Sequence, residues 1–166
     1  MEISSAMTGN KNIDPSSCEA SFRKAVDILA RSMRCENELF SKLTEYGFND
    51  EAASFAVAEC VKKHYVDDFE YAEAVARRMA SKGSGVYKVR EYLRVKGVKA
   101  DAIEHAMREY EVDDRKIMRV LETYLKGRSA PDDIRRARAM LYRRGYRPDE
   151  INSAIRKLGQ DEYEEE

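Results

Sequence analysis

The stretch Leu93-Arg94-Val95-Lys96-Gly97-Val98 decides the fold, because its pattern occurs twice more in the chain. The other copies are Leu43-Thr44-Glu45-Tyr46-Gly47-Phe48 and Leu141-Tyr142-Arg143-Arg144-Gly145-Tyr146. In each copy a leucine lies four residues before a glycine, and a hydrophobic residue directly follows the glycine. Glycine commonly ends a helix, since it adopts a positive φ without steric cost. The sequence therefore predicts three equivalent helix ends, at intervals of 50 and 48 residues.

Apolar positions downstream of each glycine recur at the same offsets and define one face of a helix. The sets are Ala53, Ala56, Val57 and Cys60; Ile103, Ala106, Met107 and Tyr110; and Ile151, Ala154, Ile155 and Leu158. Spacings of three, four and seven residues place each set on a single helical face. Similar stripes lie upstream of each glycine, and no segment alternates with the period of a strand. The sequence thus predicts an all-α protein with nine helices, three in each repeat.

The repeat spacing also predicts the domain organisation. Residues 20–66, 67–113 and 114–159 are expected to form three tandem three-helix repeats. Each repeat alone has a small core and gains burial by stacking on its neighbour, so we expect an elongated, curved solenoid. Residues 1–19 are predicted to be a flexible leader, and residues 160–166 an acidic disordered tail.

The composition argues against an enzyme, a metal site and a membrane span. The three cysteines lack C-x-x-C spacing, and His64 and His105 have no further ligands at metal-binding spacing. Asp67-Asp68 fits a helix cap better than an acid/base pair. No nucleophile–base set or phosphate-binding loop is present, and no apolar run approaches the roughly 20 residues that span a bilayer. We expect a cytoplasmic monomer with no cofactor and no catalytic residue.

Basic residues are concentrated in two blocks, although the net charge of the chain is only −1. Residues 76–99 hold eight bases against one acid, and residues 134–147 hold six bases and no acid. On the middle helices of consecutive repeats, these blocks would form a stripe suited to a polyanion or an acidic protein groove. The candidate binding residues are Arg77, Arg78, Lys82, Tyr87, Lys88, Arg90, Arg94, Lys96, Arg135, Arg136, Arg138, Arg143 and Arg147.

Three of these residues are predicted to share the exposed face of the middle helix of repeat 2. Tyr87, Arg90 and Arg94 lie opposite the inward-facing Val89 and Leu93. An aromatic ring between two guanidinium groups suits stacking on a base, or a bidentate grip on a phosphate or carboxylate. The alternative is a solvated arginine face that only keeps a thin helical protein in solution.

One stretch at the boundary between the first and second repeats resembles a known family. His64-Tyr65-Val66-Asp67-Asp68-Phe69-Glu70-Tyr71-Ala72 is similar to the RecX signature, in which an aromatic, an aliphatic and two aspartates precede an aromatic–alanine pair. Arg77-Arg78, Lys82-Gly83-Ser84-Gly85 and Val89-Arg90-Glu91-Tyr92-Leu93-Arg94-Val95-Lys96-Gly97-Val98 follow in the order of the family's central repeat. The resemblance extends over roughly residues 20–158.

The resemblance implies a regulator without enzymatic activity. RecX proteins bind along the helical groove of the RecA filament on single-stranded DNA, and some also bind DNA directly. They suppress strand exchange, ATP hydrolysis and co-protease activity, and so damp homologous recombination and the SOS response of DNA repair. The expected partner is therefore the RecA filament. The alternative is a helical solenoid that binds nucleic acid, single-stranded DNA in particular, without RecA.

Overall fold

The computed structural model describes the backbone of residues 13–164 and the side chains of residues 13–159. Regular secondary structure in this part of the chain is entirely helical. The helices are α1 (Cys18–Leu29), α2 (Glu36–Tyr46), α3 (Asp50–Lys62), α4 (Asp68–Ser81), α5 (Val86–Val95), α6 (Ala100–Arg108), α7 (Asp114–Leu125), α8 (Pro131–Arg143) and α9 (Pro148–Glu164). Nine helices and no strand within residues 13–164 confirm the predicted all-α fold.

The chain divides into two compact units. The first contains the residues up to Tyr71 together with Lys96–Val98, and the second contains Ala72–Val95 and the residues from Lys99 onward. The predicted repeat boundaries, after residues 66 and 113, fall between α3 and α4 and between α6 and α7. Because the two units divide the second repeat, its independence as a domain stays a prediction.

α1, α2 and α3 enclose the core of the first unit. Leu39 and Leu43 of α2 are fully buried, as are Ala56 and Cys60 of α3. All four residues occupy apolar positions with helical spacing, so burial follows the predicted face. Cys60 is a small buried hydrophobic residue, as its position on the stripe of α3 predicted.

Glycine ends three helices where the repeated segments predicted it. Gly47, Gly97 and Gly145 have φ values of 118°, 77° and 84°, just after α2, α5 and α8. Residues with a side chain rarely adopt this left-handed conformation. His64 also has a positive φ, 55°, and follows α3 without being glycine.

The N-terminal leader is shorter than predicted. Ile13 packs against the core of the first unit, and the Pro15 carbonyl oxygen accepts a 2.8 Å hydrogen bond from the N–H of Asn49. α1 already begins at Cys18. An apolar contact and a backbone hydrogen bond therefore hold residues that the polar composition assigned to a flexible segment. Residues 1–12 lie outside the described residues.

The C-terminal helix is longer than predicted. α9 continues to Glu164, past residue 159, where we expected the third repeat to end and a disordered tail to begin. Gly159 does not adopt a positive φ, so the helical path continues through it into the segment that we expected to be disordered. Residues 165 and 166 lie outside the described residues.

The second unit has buried residues on every helix from α5 to α9. Val89 and Leu93 of α5 are fully buried, and α5 is in contact with α6. α7, α8 and α9 contact one another around a second cluster that includes Leu121, Leu141 and Tyr146. The exposed sides of α5 and α8 then carry most of the basic residues that the sequence singled out.

Candidate functional site

Twelve of the thirteen candidate residues belong to the second unit. Arg77 and Arg78 lie on α4 and Lys82 follows it; α5 carries Tyr87, Lys88, Arg90 and Arg94; α8 carries Arg135, Arg136, Arg138 and Arg143, and Arg147 precedes α9. All of these side chains are exposed except that of Arg90, which is half-buried. The thirteenth residue, Lys96, belongs to the first unit.

Backbone hydrogen bonds join the start of α5 to the turn after α8. The N–H of Gly85 donates to the Arg144 carbonyl at 2.8 Å, and the N–H of Tyr87 donates to the Gly145 carbonyl at 3.0 Å. The approach is so close that a Cβ on Gly145 would overlap the backbone of Lys88. The start of α5 and the turn after α8, which belong to the two basic blocks, therefore lie side by side. We call Tyr87, Lys88, Arg143 and Arg147 the basic junction.

Two tyrosine hydroxyls hold the loop that leads into the basic junction. Tyr146 donates to the Gly83 carbonyl at 2.8 Å, and Tyr110 donates to the Ser84 carbonyl at 2.6 Å. Burial raises the pKa of Tyr146, and it raises the pKa of Tyr110 to about 12. Both phenols therefore stay protonated at neutral pH and act as donors. The sequence placed Tyr110 on a helix face but did not predict this contact.

Several candidate arginines pair with carboxylates of the same unit. Arg77 contacts Glu73 at 3.3 Å, and Arg135 contacts Asp132 at the same distance. These are local pairs one helical turn apart, and exposed pairs of this kind contribute little to stability. These ion pairs compensate part of the positive charge of the two basic blocks.

The arginines of α5 are also paired. Arg94 binds both carboxylate oxygens of Glu91, at 2.8 and 2.9 Å, and Arg90 binds both oxygens of Glu104 on α6. The hydrogen bonds from the guanidinium groups lower the pKa of each carboxyl group. Tyr87 is exposed on the predicted face, but the two arginines beside it are already engaged with acids.

Five candidate bases have neither an ion-pair partner nor a side-chain hydrogen bond among residues 13–159. They are Lys82, Lys88, Arg136, Arg143 and Arg147. Arg136 and Arg143 are seven residues apart and so lie on one side of α8. Three of the five belong to the basic junction. Uncompensated positive charge is therefore concentrated around α8 and the start of α5.

Lys96 does not belong to the exposed basic surface. Its Nζ lies 2.6 Å from the Glu38 carboxylate, which also accepts a 2.8 Å hydrogen bond from the Tyr71 hydroxyl. Burial raises the pKa of Glu38, but the hydrogen bonds from Lys96 and Tyr71 outweigh that effect, so the net shift is downward. The sequence predicted Lys96 to be a binding residue because its acidic partner is 58 positions away and cannot be recognised from local spacing.

Sequence reasoning missed one exposed aromatic residue. The Tyr142 side chain is 67% exposed and lies in a shallow groove between α8 and α9. Arg138 and Arg143 lie at its sides, with Ala139, Pro148, Ile151 and Asn152 completing the lining. The sequence contained the signal, because Tyr142 lies within the block of six bases, as Tyr87 lies within the other block.

The aspartate pair before α4 has a structural role. The Asp67 carboxylate accepts hydrogen bonds from the N–H groups of Phe69 and Glu70 at 2.8 and 3.3 Å, which confirms the predicted cap. Asp68 is buried and accepts a 2.8 Å hydrogen bond from the N–H of Glu36, a contact that the sequence did not predict.

The described residues contain neither a metal-binding cluster nor a membrane-spanning helix. No group of three His, Cys, Asp or Glu residues in that part of the chain is placed to hold a metal ion. His105 instead lies 3.1 Å from a Glu73 carboxylate oxygen. No helix within residues 13–164 has both the length and the apolar character needed to cross a bilayer.

The fold and the surface define an all-helical protein of three-helix domains whose candidate site is an exposed basic face. Family models described as the first and second three-helix domains of RecX match residues 22–60 and 67–107. Regulatory protein RecX of Stenotrophomonas maltophilia (strain R551-3) is 36% identical over 137 residues, covering 81% of this chain and 84% of the relative. Its counterpart in Vibrio campbellii (strain ATCC BAA-1116) is 31% identical over 134 residues, covering 79% and 86%. The chain belongs to the RecX family.

Solved structures support the fold independently. The crystal structure of RecX from Lactobacillus salivarius matches with a TM-score of 0.77 at 19% identity, covering 86% of this chain and 97% of that one. A crystal structure of regulatory protein RecX matches with a TM-score of 0.76 at 18% identity, covering 83% and 71%. At such identities the likeness bears on the fold alone, and it agrees with the helical repeats predicted from the sequence.

Proposed function

We propose that this protein binds the RecA filament on single-stranded DNA and inhibits its recombinase, ATPase and co-protease activities. Such inhibition would damp recombination and the SOS response. Membership of the RecX family supports the proposal, since the relatives are named regulatory proteins. We expect the protein to act in the cytoplasm as a monomer, without a cofactor and without catalysing a reaction of its own.

The basic junction is the observation that carries the proposal. Lys88, Arg143 and Arg147 are exposed and have no ion-pair partner among the described residues. Like charges held close together repel one another, and an external anion relieves that repulsion. Arginine also makes bidentate hydrogen bonds with phosphate or carboxylate, the two anions that a protein–DNA filament presents. A surface of this kind fits a large anionic partner better than a small substrate.

The test is the ATPase activity of RecA on single-stranded DNA, measured while this protein is added at substoichiometric amounts. We expect inhibition by the wild type. A variant with Lys88→Gln, Arg143→Gln and Arg147→Gln should need about tenfold more protein for half-inhibition. Three exposed ionic contacts of roughly 0.5 kcal/mol each amount to about that factor.

A matched control removes the same number of charges elsewhere. Arg31, Arg115 and Arg119 are exposed and lie outside the basic junction. Their triple replacement by Gln should leave the inhibition unchanged. Equal effects of the two triple variants would mean that only net charge matters. A wild-type protein that does not inhibit RecA would refute the proposed function.

The second candidate function is binding of nucleic acid without RecA. The specific observation in its favour is the α8 block, residues 134–147, which has six bases, no acid and an exposed tyrosine. Basic grooves with aromatic side chains are common in proteins that bind single strands. Binding of single-stranded DNA by the protein alone distinguishes this function from one that needs the filament.

A further inference from the structure

The groove between α8 and α9 has an unusual combination of groups. Tyr142, at 67%, is more exposed than Tyr65 or Tyr87, at 54% and 52%. The apolar side chains of Ala139, Pro148 and Ile151 lie beside its ring. An exposed aromatic ring beside apolar side chains leaves a flat, apolar surface in contact with water. Such contact is unfavourable unless a partner covers the surface.

The rim of this groove is positively charged. Arg138 and Arg143 line it, and no carboxylate is among its lining residues in the described chain. Arg138 donates a 2.5 Å hydrogen bond to the Asn152 side chain on α9, which holds the guanidinium group at the groove. Arg143 has no ion-pair partner within residues 13–159. The groove therefore offers an apolar surface for a flat group, with cations at its edges for a flanking anion.

Single-stranded nucleic acid combines the two complementary features. Its bases are flat and apolar on their faces, and each is flanked by phosphates. A base in a duplex is covered on both faces by its neighbours, whereas a base in a single strand can leave the stack and lie on an aromatic side chain. An acidic peptide would satisfy the arginines, but its charged side chains would not cover the tyrosine ring.

We propose that the α8–α9 groove is a stacking site for one base of a single strand, with the base on Tyr142 and the flanking phosphates at Arg138 and Arg143. This site differs from the predicted one at Tyr87, whose neighbouring arginines are paired with acids. The inference rests on the second candidate function and needs no RecA. It assigns the aromatic residue that such binding would use.

The test compares two probes on the full-length protein without RecA. One is a fluorescein-labelled oligothymidylate, and the other is an abasic oligomer with the same number of phosphates and the same label. Fluorescence anisotropy gives the Kd for each. Stacking on Tyr142 predicts at least about fivefold tighter binding of the oligothymidylate, the lower limit of the contribution of one stacked base.

Variants separate stacking from charge. Tyr142→Ala should remove the preference for the oligothymidylate and leave binding of the abasic oligomer unchanged, whereas Tyr142→Phe should retain the preference. The matched control is Tyr65→Ala, which removes a similarly exposed tyrosine from the first unit. We expect it to bind both probes as the wild type does.

The outcomes distinguish the inference from the function on which it rests. Equal binding of both probes by the wild type would overturn the stacking site while retaining binding of single strands. The groove would then recognise charge alone, and such a surface would also suit an acidic protein. Binding of neither probe at about 0.15 M salt would overturn both. If Tyr142→Ala still preferred the oligothymidylate to the abasic oligomer, the base would stack on another residue, and the site at Tyr142 would be overturned.

Discussion

The hydroxyl of Tyr146 donates a 2.8 Å hydrogen bond to the carbonyl oxygen of Gly83, 63 positions earlier in the chain. Both residues are buried, and the bond connects the turn after α8 to the loop before α5. Tyr110 makes the equivalent bond to the next carbonyl, that of Ser84. These two bonds hold the loop that leads into α5 and the basic junction, so they connect core packing to the candidate binding surface.

Removal of the Tyr146 hydroxyl should therefore destabilise the protein although the ring remains. Tyr146→Phe leaves the buried Gly83 carbonyl without its best donor, which typically costs about 1–3 kcal/mol. Urea denaturation followed by circular dichroism measures the change as a lower midpoint at constant slope. Tyr142→Phe, which removes the same hydroxyl from an exposed position, should leave the midpoint unchanged. An unaltered midpoint for Tyr146→Phe would mean that the loop does not depend on this bond.

Gly85 should not tolerate a side chain. A Cβ at this position would overlap the backbone of Gly145, and backbone cannot move aside as a flexible side chain can. Gly85→Ala should cost at least about 1–3 kcal/mol, the usual range for overpacking. Gly159→Ala is the control, because a Cβ on Gly159 meets nothing within 4 Å and alanine favours the helix. Thermal unfolding should separate the two variants, with Gly159→Ala at or above the wild type.

The sequence predicted the helices and the three glycine-marked helix ends well because both depend on local chemistry. The spacing of Leu93, Gly97 and Val98 and of their counterparts gave the repeat, and the observed φ of Gly97 agrees with a helix stop. The basic surface was predicted less well. Whether a base remains available depends on acids that the fold brings near, and neither Glu104 beside Arg90 nor Glu38 beside Lys96 could be found from spacing.

Stability should fall at alkaline pH because the buried phenol of Tyr146 and the half-buried phenol of Tyr110 must lose protons. Burial raises the pKa of Tyr110 to about 12 and also raises that of Tyr146. A raised pKa in the folded state gives stability that is complete below the unfolded value, about 10, and is lost as the pH rises toward 12. Melting temperatures should thus decrease above about pH 10. Tyr110→Phe should decrease less steeply over that range, and an identical slope would remove Tyr110 as the cause.

Leu93 and Arg94 are neighbours in sequence with opposite roles, and their variants should differ accordingly. Leu93 is fully buried, so Leu93→Ala should leave a cavity and cost about 2–5 kcal/mol. Arg94 is exposed, and within residues 13–159 its one ion pair is with Glu91, so Arg94→Ala should leave the free energy of unfolding close to that of the wild type. Denaturant titration of both variants gives the comparison. A large loss for Arg94→Ala would show that its ion pair supports the fold.

Release of Arg90 from its acid should strengthen binding to an anionic partner. In the wild type both oxygens of Glu104 bind the Arg90 guanidinium group, which lowers the pKa of that carboxyl group. Glu104→Gln removes the negative charge and leaves the half-buried Arg90 without its ion pair beside Tyr87, closer to the arrangement that the sequence predicted. The pair lies at the surface, so its loss should cost less than about 1 kcal/mol of stability.

Two quantities are measured at low and at about physiological salt. One is the Kd for oligothymidylate, and the other is the concentration of this protein that gives half-inhibition of the RecA ATPase. Glu104→Gln should bind more tightly at low salt, and the gain should shrink as the Debye length falls from about 30 Å at 0.01 M to about 8 Å at 0.15 M. Glu122→Gln on α7 is the matched control, since Glu122 is exposed and has no side-chain partner among the described residues. A similar gain from both variants would mean that net charge alone is sensed. A gain for Glu104→Gln alone would identify the α5 face as part of the binding surface.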